Sequence, residues 1–281
     1  MKIAIISDIH GNYTALEVCI KKIEKMNVDT IIGCGDYITD FPESHKVIQL
    51  IKQCEKKYKC YIISGNREQY IIKFDRIKNI NEINIKMKNN IICTYNSLTK
   101  EDLEWIKSLP LALEISIDGK NKIYVSHKCD YRQIENCKYK IFGHSHKQYN
   151  FRRDDVKYIN PGSVGISTDK GVIGAQFSIL EITDTFEKIE EYIIKYDINE
   201  VIKKIKNSKI YTDEIQWGKL LEKEIETGID IPQQCLNEYN PIRKEHNIEN
   251  DSIEVWKEAM KNVFTKFTMW ICDINFYRVE N

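Results

Sequence analysis

The sequence predicts an α/β fold in which two sheets pack face to face with helices outside them, followed by a C-terminal helical extension. Apolar runs and helical patterns alternate over residues 1–64, strand-like runs with short links follow Pro110, and Glu- and Lys-rich helical material fills the last part of the chain. With 281 residues, of which 42% are hydrophobic, the chain can bury a sizeable core.

The first part of the chain has strand–helix–strand–helix–strand order. Residues 2–7, 29–34 and 59–64 are compact apolar runs, which predict buried strands. Residues 14–26 and 43–57 repeat apolar side chains at helical spacing. This order predicts parallel strands joined by right-handed crossovers.

A helical stretch is expected next, over residues 68–108. Its last helix begins at the capping pair Thr99 and Asp102 and stops at Pro110. A second set of strands then follows at residues 111–117, 122–126, 139–142, 156–159, 172–182 and 187–196. A second sheet packed on the first accounts for these strands better than a single open sheet.

The chain divides into a domain at residues 1–196 and a helical extension at residues 197–281. Helices are expected in the extension at residues 199–206 and 213–227 and from residue 252 onward, and the final stretch is strongly aromatic. The extension is interpreted as a packing layer on the sandwich, as a cap that narrows substrate choice, or as a homodimer contact, since aromatic surface suits interfaces.

Charge is distributed unequally along the chain. The totals balance, with 42 basic and 42 acidic residues. Residues 1–182 hold 28 basic and 22 acidic residues, however, and the remainder holds 14 and 20. The zero sum argues against a stable nucleic-acid complex, whereas the basic first part favours a small anionic substrate.

Two further features predict a cytoplasmic protein that does not enter a membrane. No apolar run approaches the roughly 18 to 20 residues that a spanning helix needs. The nine cysteines form no C-x-x-C pair, so neither a disulfide framework nor a zinc ribbon is indicated.

Polar side chains follow five of the predicted strands at the points where the strands end. They comprise two carboxylates, one amide and four imidazoles: Asp8, His10, Asp36, Asn66, His127, His144 and His146. In α/β sheets, ligands bind beyond the carboxyl ends of the strands, so these side chains are expected to converge. Nitrogen and oxygen ligands without thiolate suit Mn, Fe, Zn or Ni, and seven ligands are enough for two ions that share a carboxylate.

These segments resemble the calcineurin-like metallophosphoesterases, and more narrowly the small bacterial phosphoesterases of that superfamily. The matching motifs are Asp8-Ile9-His10, Gly35-Asp36, Gly65-Asn66, His127, Gly143-His144-Ser145-His146 and Asn160-Pro161-Gly162-Ser163. The resemblance covers residues 1 to about 196. It implies a four-layer α/β/β/α sandwich.

The resemblance also implies a dinuclear site and a reaction. One ion would be held by Asp8, His10, Asp36 and His146, and the second by Asp36, Asn66, His127 and His144, with Asp36 bridging. The reaction would be hydrolysis of a phosphoester by a metal-activated hydroxide. Two divalent ions are expected as cofactors, with Mn²⁺ preferred and Fe, Zn or Ni as alternatives.

Arg67 departs from the family pattern. Many members have a histidine at this position that helps to protonate the leaving group, and a guanidinium cannot act as a general acid. Arg67 can instead clamp a phosphate oxygen, which favours substrates whose leaving group needs no protonation; the alternative is that it only pairs with Glu68 or a neighbouring acid. Asn12 could likewise donate to a substrate phosphate or serve only its own turn.

Three functions remain open at this stage. The first is a metal-dependent phosphoesterase that hydrolyses a small phosphodiester or nucleotide-type substrate. The second is a dinucleoside polyphosphate (Ap4A-type) hydrolase in which Arg67 and Lys128 grip the additional phosphates. The third is a non-catalytic sensor of a phosphorylated ligand, which the presence of all seven predicted ligands argues against.

Overall fold

Two five-stranded sheets form the centre of the computed structural model, which describes residues 1–79, 88–117, 119, 121–169, 171–213, 215–248 and 252–277. The strands are β1 (Lys2–Ile6), β2 (Thr30–Gly33), β3 (Lys59–Ile62), β4 (Ala112–Ser116), β5 (Lys122–Ser126), β6 (Cys137–Ile141), β7 (Gln148–Arg153), β8 (Val156–Pro161), β9 (Ala175–Ile182) and β10 (Glu187–Ile194). The predicted α/β class, with two mixed sheets flanked by helices and further helices at the C-terminus, is confirmed.

Helices occupy the segments between the first four strands and most of the described part of the extension. They are α1 (Tyr13–Ile23), α2 (Ser44–Lys57), α3 (Asn66–Ile77), α4 (Lys88–Ser97), α5 (Lys100–Ser108), α6 (Ile198–Lys206), α7 (Lys209–Asp213), α8 (Ile215–Thr227), α9 (Ile231–Glu245) and α10 (Ile253–Tyr277). The predicted start of α5 is confirmed, because Thr99 Oγ1 accepts from Asp102 N at 3.2 Å and Asp102 Oδ2 accepts from Thr99 N at 2.9 Å.

The first sheet has the order β10-β9-β1-β2-β3. Strands β1, β2 and β3 are parallel, as predicted, and β9 runs antiparallel to β1. Strand β1 is buried on both faces: Ala4 and Ile6 pack in the helix-side core, whereas Ile3 and Ile5 pack between the sheets. This burial on both faces explains why the sequence shows a continuous apolar run there and no alternation.

The second sheet has the order β4-β5-β6-β8-β7, with β5, β6 and β8 parallel. Its inner face supplies Val125 and Ile141 to the core between the sheets. Strand β7 was not predicted from the sequence. It lies at the sheet edge and most of its residues are exposed, so no apolar run marks it.

The described part of the extension contains two helices that the sequence did not predict, the short α7 and the longer α9. Helix α9 carries Pro241 in its interior, a residue that normally ends a helical prediction, yet Cys235, Tyr239 and Ile242 are buried along one face. The side chains of residues 267–277, which suggested the aromatic contact, lie outside the described residues. In the described part of the chain, no helix combines the length and apolar character needed to cross a membrane.

The fold brings the loops after β1, β2, β5 and β6 to one place. Asp8 N donates to Gly35 O at 3.0 Å, and Gly143 N donates to His127 O at 3.0 Å. His144 N then donates to Asp8 Oδ2 at 2.9 Å, which joins the loops of the two sheets. The carboxyl ends of the strands therefore converge as parallel pairing predicts.

Candidate metal centre

The backbone of the candidate ligands is unusual. Asp8, His10, Asp36, His144 and His146 all have positive φ, between 53° and 68°. Non-glycine residues in this left-handed region cost energy and persist where the surrounding structure holds them. Here the loops hold one another, because the N–H groups of Ile9 and His10 donate to Asp36 O at 2.8 and 3.0 Å.

The first cluster consists of Asp8, His10 and His146, whose ligand atoms lie within 4.8 Å of one another. The two imidazole Nε2 atoms are 3.0 Å apart, and His146 Nε2 is 3.4 Å from Asp8 Oδ1. Asp8 Oδ1 is buried and has no hydrogen-bond partner among the described residues. A divalent cation between these atoms would satisfy them together, so the cluster fits a metal.

The second cluster consists of Asp36, His127 and His144, again with ligand atoms within 4.8 Å. His127 Nδ1 donates to Cys34 O at 2.7 Å, which leaves Nε2 as the free ligand nitrogen. That Nε2 lies 3.3 Å from Asp36 Oδ2 and 3.0 Å from Asn66 Oδ1. The lone pairs of these three atoms converge, which is an arrangement that suits a cation. Asn66 therefore lies beside the cluster, where its position in the sequence placed it.

Glu68 holds the loop of Asp36 against the start of α3. Its buried carboxylate accepts from Gly65 N at 2.7 Å, Asp36 N at 2.9 Å and Tyr37 N at 2.8 Å. Burial and the charge of Asp36 raise the pKa of Glu68 to about 7, although the three N–H donors stabilise the carboxylate and act to lower the pKa. From the sequence, Glu68 was expected only as a possible partner of Arg67. The glutamate three residues after Gly65 is, however, a capping-box signal.

The Asn-Pro-Gly-Ser segment supports the other side of the site. Asn160 Nδ2 donates to Gly143 O at 2.8 Å, and Ser163 Oγ donates to Asp8 O at 2.6 Å. Gly143 is required by close approach, because a Cβ there would lie 1.9 Å from Ser7 Oγ and 2.5 Å from Asp8 Oδ2. This segment therefore fixes the loop that carries Asp8 and His10 and the loop that carries His144 and His146, and it contributes no ligand to either cluster.

Arg67 pairs with Asp40, a neighbouring acid. Arg67 Nη2 is 3.0 Å from Asp40 Oδ2, and the same oxygen is 2.8 Å from His10 Nδ1. Asp40 Oδ1 accepts from Trp217 Nε1 at 3.1 Å. Burial alone would raise the pKa of Asp40, but Arg67 and His10 outweigh it and lower the pKa to about 2. Asp40 thus links the first cluster, the guanidinium and the extension.

Asn12 is buried and its side chain is used within the protein. Its Oδ1 accepts from Ala15 N at 3.1 Å as the cap of α1, and its Nδ2 donates to Gly165 O at 3.0 Å. These contacts favour the structural alternative for Asn12. Its contact with substrate stays a prediction.

The two clusters open into one cavity of about 340 Å³. The domain contributes His10, Asp36, Asn66, Arg67, His144 and His146 to its lining. The extension contributes Trp217, Leu221, Glu224, Asp230, Pro232, Gln233 and Leu236. Helices α8 and α9 therefore form one wall of the candidate site, in addition to packing on the fold.

The fold and the two clusters together define a phosphoesterase. The model of the calcineurin-like phosphoesterase superfamily domain matches residues 1–185, and the chain belongs to that superfamily. Members of this fold use divalent metals, and the chain is a hydrolase that acts on phosphoester bonds.

Individual relatives come from archaea and bacteria. The chain is 28% identical over 237 residues to an uncharacterised protein of Methanocaldococcus jannaschii, covering 74% of this chain and 93% of the relative. It is 29% identical over 167 residues to a phosphodiesterase of the same organism, covering 58% and 83%. A solved metallophosphoesterase from Sphaerobacter thermophilus has the same fold, with TM-score 0.62, 21% identity and coverage of 82% and 99%.

Proposed function

We propose that this protein is a metal-dependent phosphodiesterase that hydrolyses a small phosphodiester or nucleotide-type substrate. The observation that carries the proposal is the shared cavity, in which two acid–histidine clusters face Arg67. A relative of similar sequence is called a phosphodiesterase, which supports the same reaction type.

The two clusters suit two divalent ions, with Mn²⁺ preferred. Asp8, His10, Asp36 and His146 would hold one ion, and Asp36, Asn66, His127 and His144 would hold the other. Such ions lower the pKa of bound water and neutralise charge that develops on the phosphate. The nitrogen and oxygen donor set and the unpartnered Asp8 Oδ1 support this assignment.

The protein's own groups would position the substrate. Arg67 is held by Asp40 and is mostly buried, so its guanidinium is oriented before a phosphate arrives. Trp217, Leu221 and Leu236 form the apolar part of the wall and exclude water from the reacting phosphate. The cavity of about 340 Å³ suits a small substrate and excludes a folded polynucleotide.

A second candidate is the dinucleoside polyphosphate hydrolase. A groove of about 480 Å³ leads away from the second cluster, lined by Asn66, His127, Lys128 and Arg132. Lys128 is exposed there and could bind phosphates beyond the one that reacts. The presence of all seven predicted ligands argues against the non-catalytic sensor.

Four further expectations accompany the proposal. They are a cytoplasmic location, the absence of a stable nucleic-acid complex, a homodimer contact through the C-terminal helices, and membership of the bacterial branch of the superfamily. The curated relatives described above are archaeal, so the branch stays a prediction.

The test is an activity screen of the Mn²⁺-supplemented protein on a phosphomonoester, a phosphodiester and a dinucleoside polyphosphate. We expect the diester to be hydrolysed fastest and Asp36→Asn to abolish turnover. Fastest hydrolysis of the dinucleoside polyphosphate would select the second candidate. Absence of turnover on all three substrates would contradict both enzymatic proposals.

A further inference from the structure

The extension places two acidic residues, Glu224 and Asp230, in the lining of the cavity of the metal clusters. Glu224 lies on α8 and is 4% exposed, and it lines the cavity together with His10, His146 and Arg67. Its carboxyl makes no hydrogen bond or ion pair among the described residues, and its backbone carbonyl accepts from Gly228 N at 2.8 Å. A buried carboxyl in such a position requires an explanation, because carboxyl groups are rarely buried without a partner.

The surroundings of Glu224 favour its neutral form. Burial raises its pKa well above the usual value, and the charges of Asp230 and Asp40 act in the same direction. Arg67 opposes them but does not outweigh them. These groups face Glu224 from the start of α9, from the loop after β2 and from α3. The protonated form of the carboxyl is therefore favoured, and in that form Glu224 can donate a proton.

The other polar groups of the cavity are poorly suited to donate a proton. The histidines of the lining belong to the two clusters, and His10 Nε2 and His146 Nε2 lie 3.9 and 3.4 Å from Asp8 Oδ1. Arg67 does not release its proton at ordinary pH. Asp40 is ionised, and Asp230 caps α9 by accepting from Gln233 N at 2.8 Å.

We propose that Glu224 is the general acid that protonates the leaving-group oxygen. The inference rests on the proposed function and adds a catalytic residue to it. As the oxygen of water bonds to phosphorus, the bond from phosphorus to the leaving oxygen breaks, and the Glu224 proton moves to that oxygen. A proton released from the attacking water then returns to the carboxylate through solvent. The net reaction consumes one ester and one water and yields an alcohol and a phosphate product.

This role changes the expected substrate class. Arg67 by itself favours substrates with good leaving groups, because it cannot protonate the departing oxygen. With Glu224 as the acid, esters whose leaving group is a sugar or nucleoside alkoxide become suitable substrates. General acids of this kind contribute about 10²- to 10⁴-fold to the rate.

The experiment compares Glu224→Gln with Glu226→Gln, a variant of the same helix whose native carboxylate pairs with Lys223 at the surface. Each is assayed on two diesters of one nucleoside, one that releases p-nitrophenolate and one that releases an alkoxide. We expect Glu224→Gln to slow alkoxide release by about 10²- to 10⁴-fold and p-nitrophenolate release by less than about threefold. Glu226→Gln should match the wild type on both.

A second readout needs neither metal nor turnover. In chelator-treated wild type at neutral pH, infrared difference spectroscopy should show the carbonyl band of a protonated carboxylic acid that is missing in Glu224→Gln and present in Glu226→Gln. If the wild type and Glu224→Gln share the same bands, the inference is wrong. Equal slowing of both esters by Glu224→Gln would also overturn it, since a merely structural role predicts that result. If the wild type hydrolyses neither ester, the proposed function itself fails, and this inference fails with it.

Discussion

Removal of the Glu68 carboxylate should destabilise the fold strongly, because this side chain joins two segments that carry predicted ligands. Glu68→Ala leaves the N–H groups of Gly65, Asp36 and Tyr37 buried without an acceptor. Each unsatisfied buried donor costs about 1–3 kcal/mol. Since water can enter part of the space that the side chain leaves, we expect a total loss of about 3–5 kcal/mol in the free energy of unfolding, at the upper end of single substitutions.

Glu68→Gln tests the same reasoning with little change in volume. The amide oxygen can still accept hydrogen bonds, but the –NH₂ group cannot, so at least one N–H loses its partner. The expected loss is about 1–3 kcal/mol, smaller than that of Glu68→Ala.

The assay is urea unfolding of the chelator-treated protein, followed by tryptophan fluorescence, with slopes compared between variants. Glu104→Ala is the control, because Glu104 is 69% exposed and its pair with Lys107 lies at the surface. That variant should stay within about 0.5 kcal/mol of the wild type. A loss below about 1 kcal/mol for Glu68→Ala, or a larger loss for Glu68→Gln than for Glu68→Ala, would refute the reasoning.

Three other predictions concern the site and its wall. Arg67→Ala should lower kcat/KM on a diester by about 10- to 100-fold and Arg67→Lys by less, because the guanidinium holds the phosphate with charged hydrogen bonds; unchanged kinetics would rule out the clamp. Gly143→Ala should lower stability by about 1–3 kcal/mol, since its Cβ would overlap Ser7 Oγ, and Ser7→Ala should partly restore the melting temperature if that overlap is the cause. Trp217→Phe keeps an aromatic ring but removes the donor to Asp40, so it should cost about 1–3 kcal/mol, whereas Trp105→Phe, whose indole bonds the exposed Glu55, should cost less by the same thermal measurement.

The catalytic half of the fold was predictable because its signals are local and strong. Strands β1 and β2 are buried on both faces, which produces continuous apolar runs, and the cap of α5 is a complete capping box. The seven candidate ligands could be chosen because polar groups interrupt those runs at strand ends, and the structure brings them together. Their roles as ligands stay predictions.

Other elements were not predictable because their stabilisation is not local. Strand β7 is stabilised by pairing with β8 at the sheet edge, and its own residues are largely exposed. Helix α9 tolerates Pro241 because tertiary packing of Tyr239 and Ile242 offsets the lost backbone hydrogen bond. The entry of Trp217 and Glu224 into the site depends on how α8 docks, and residue spacing contains no information about docking.

The position of Asp40 has a consequence for the linkage between metal occupancy and the docking of the extension. One carboxylate contacts His10, Arg67 and Trp217, so its free energy depends on all three at once. A cation held by His10 would interact with the same carboxylate that accepts the hydrogen bond from the Trp217 indole of α8. Because linkage is reciprocal, the factor by which docking of α8 raises the affinity for metal equals the factor by which bound metal favours docking of α8. Metal affinity and the docking of α8 would thus share a single coupling free energy.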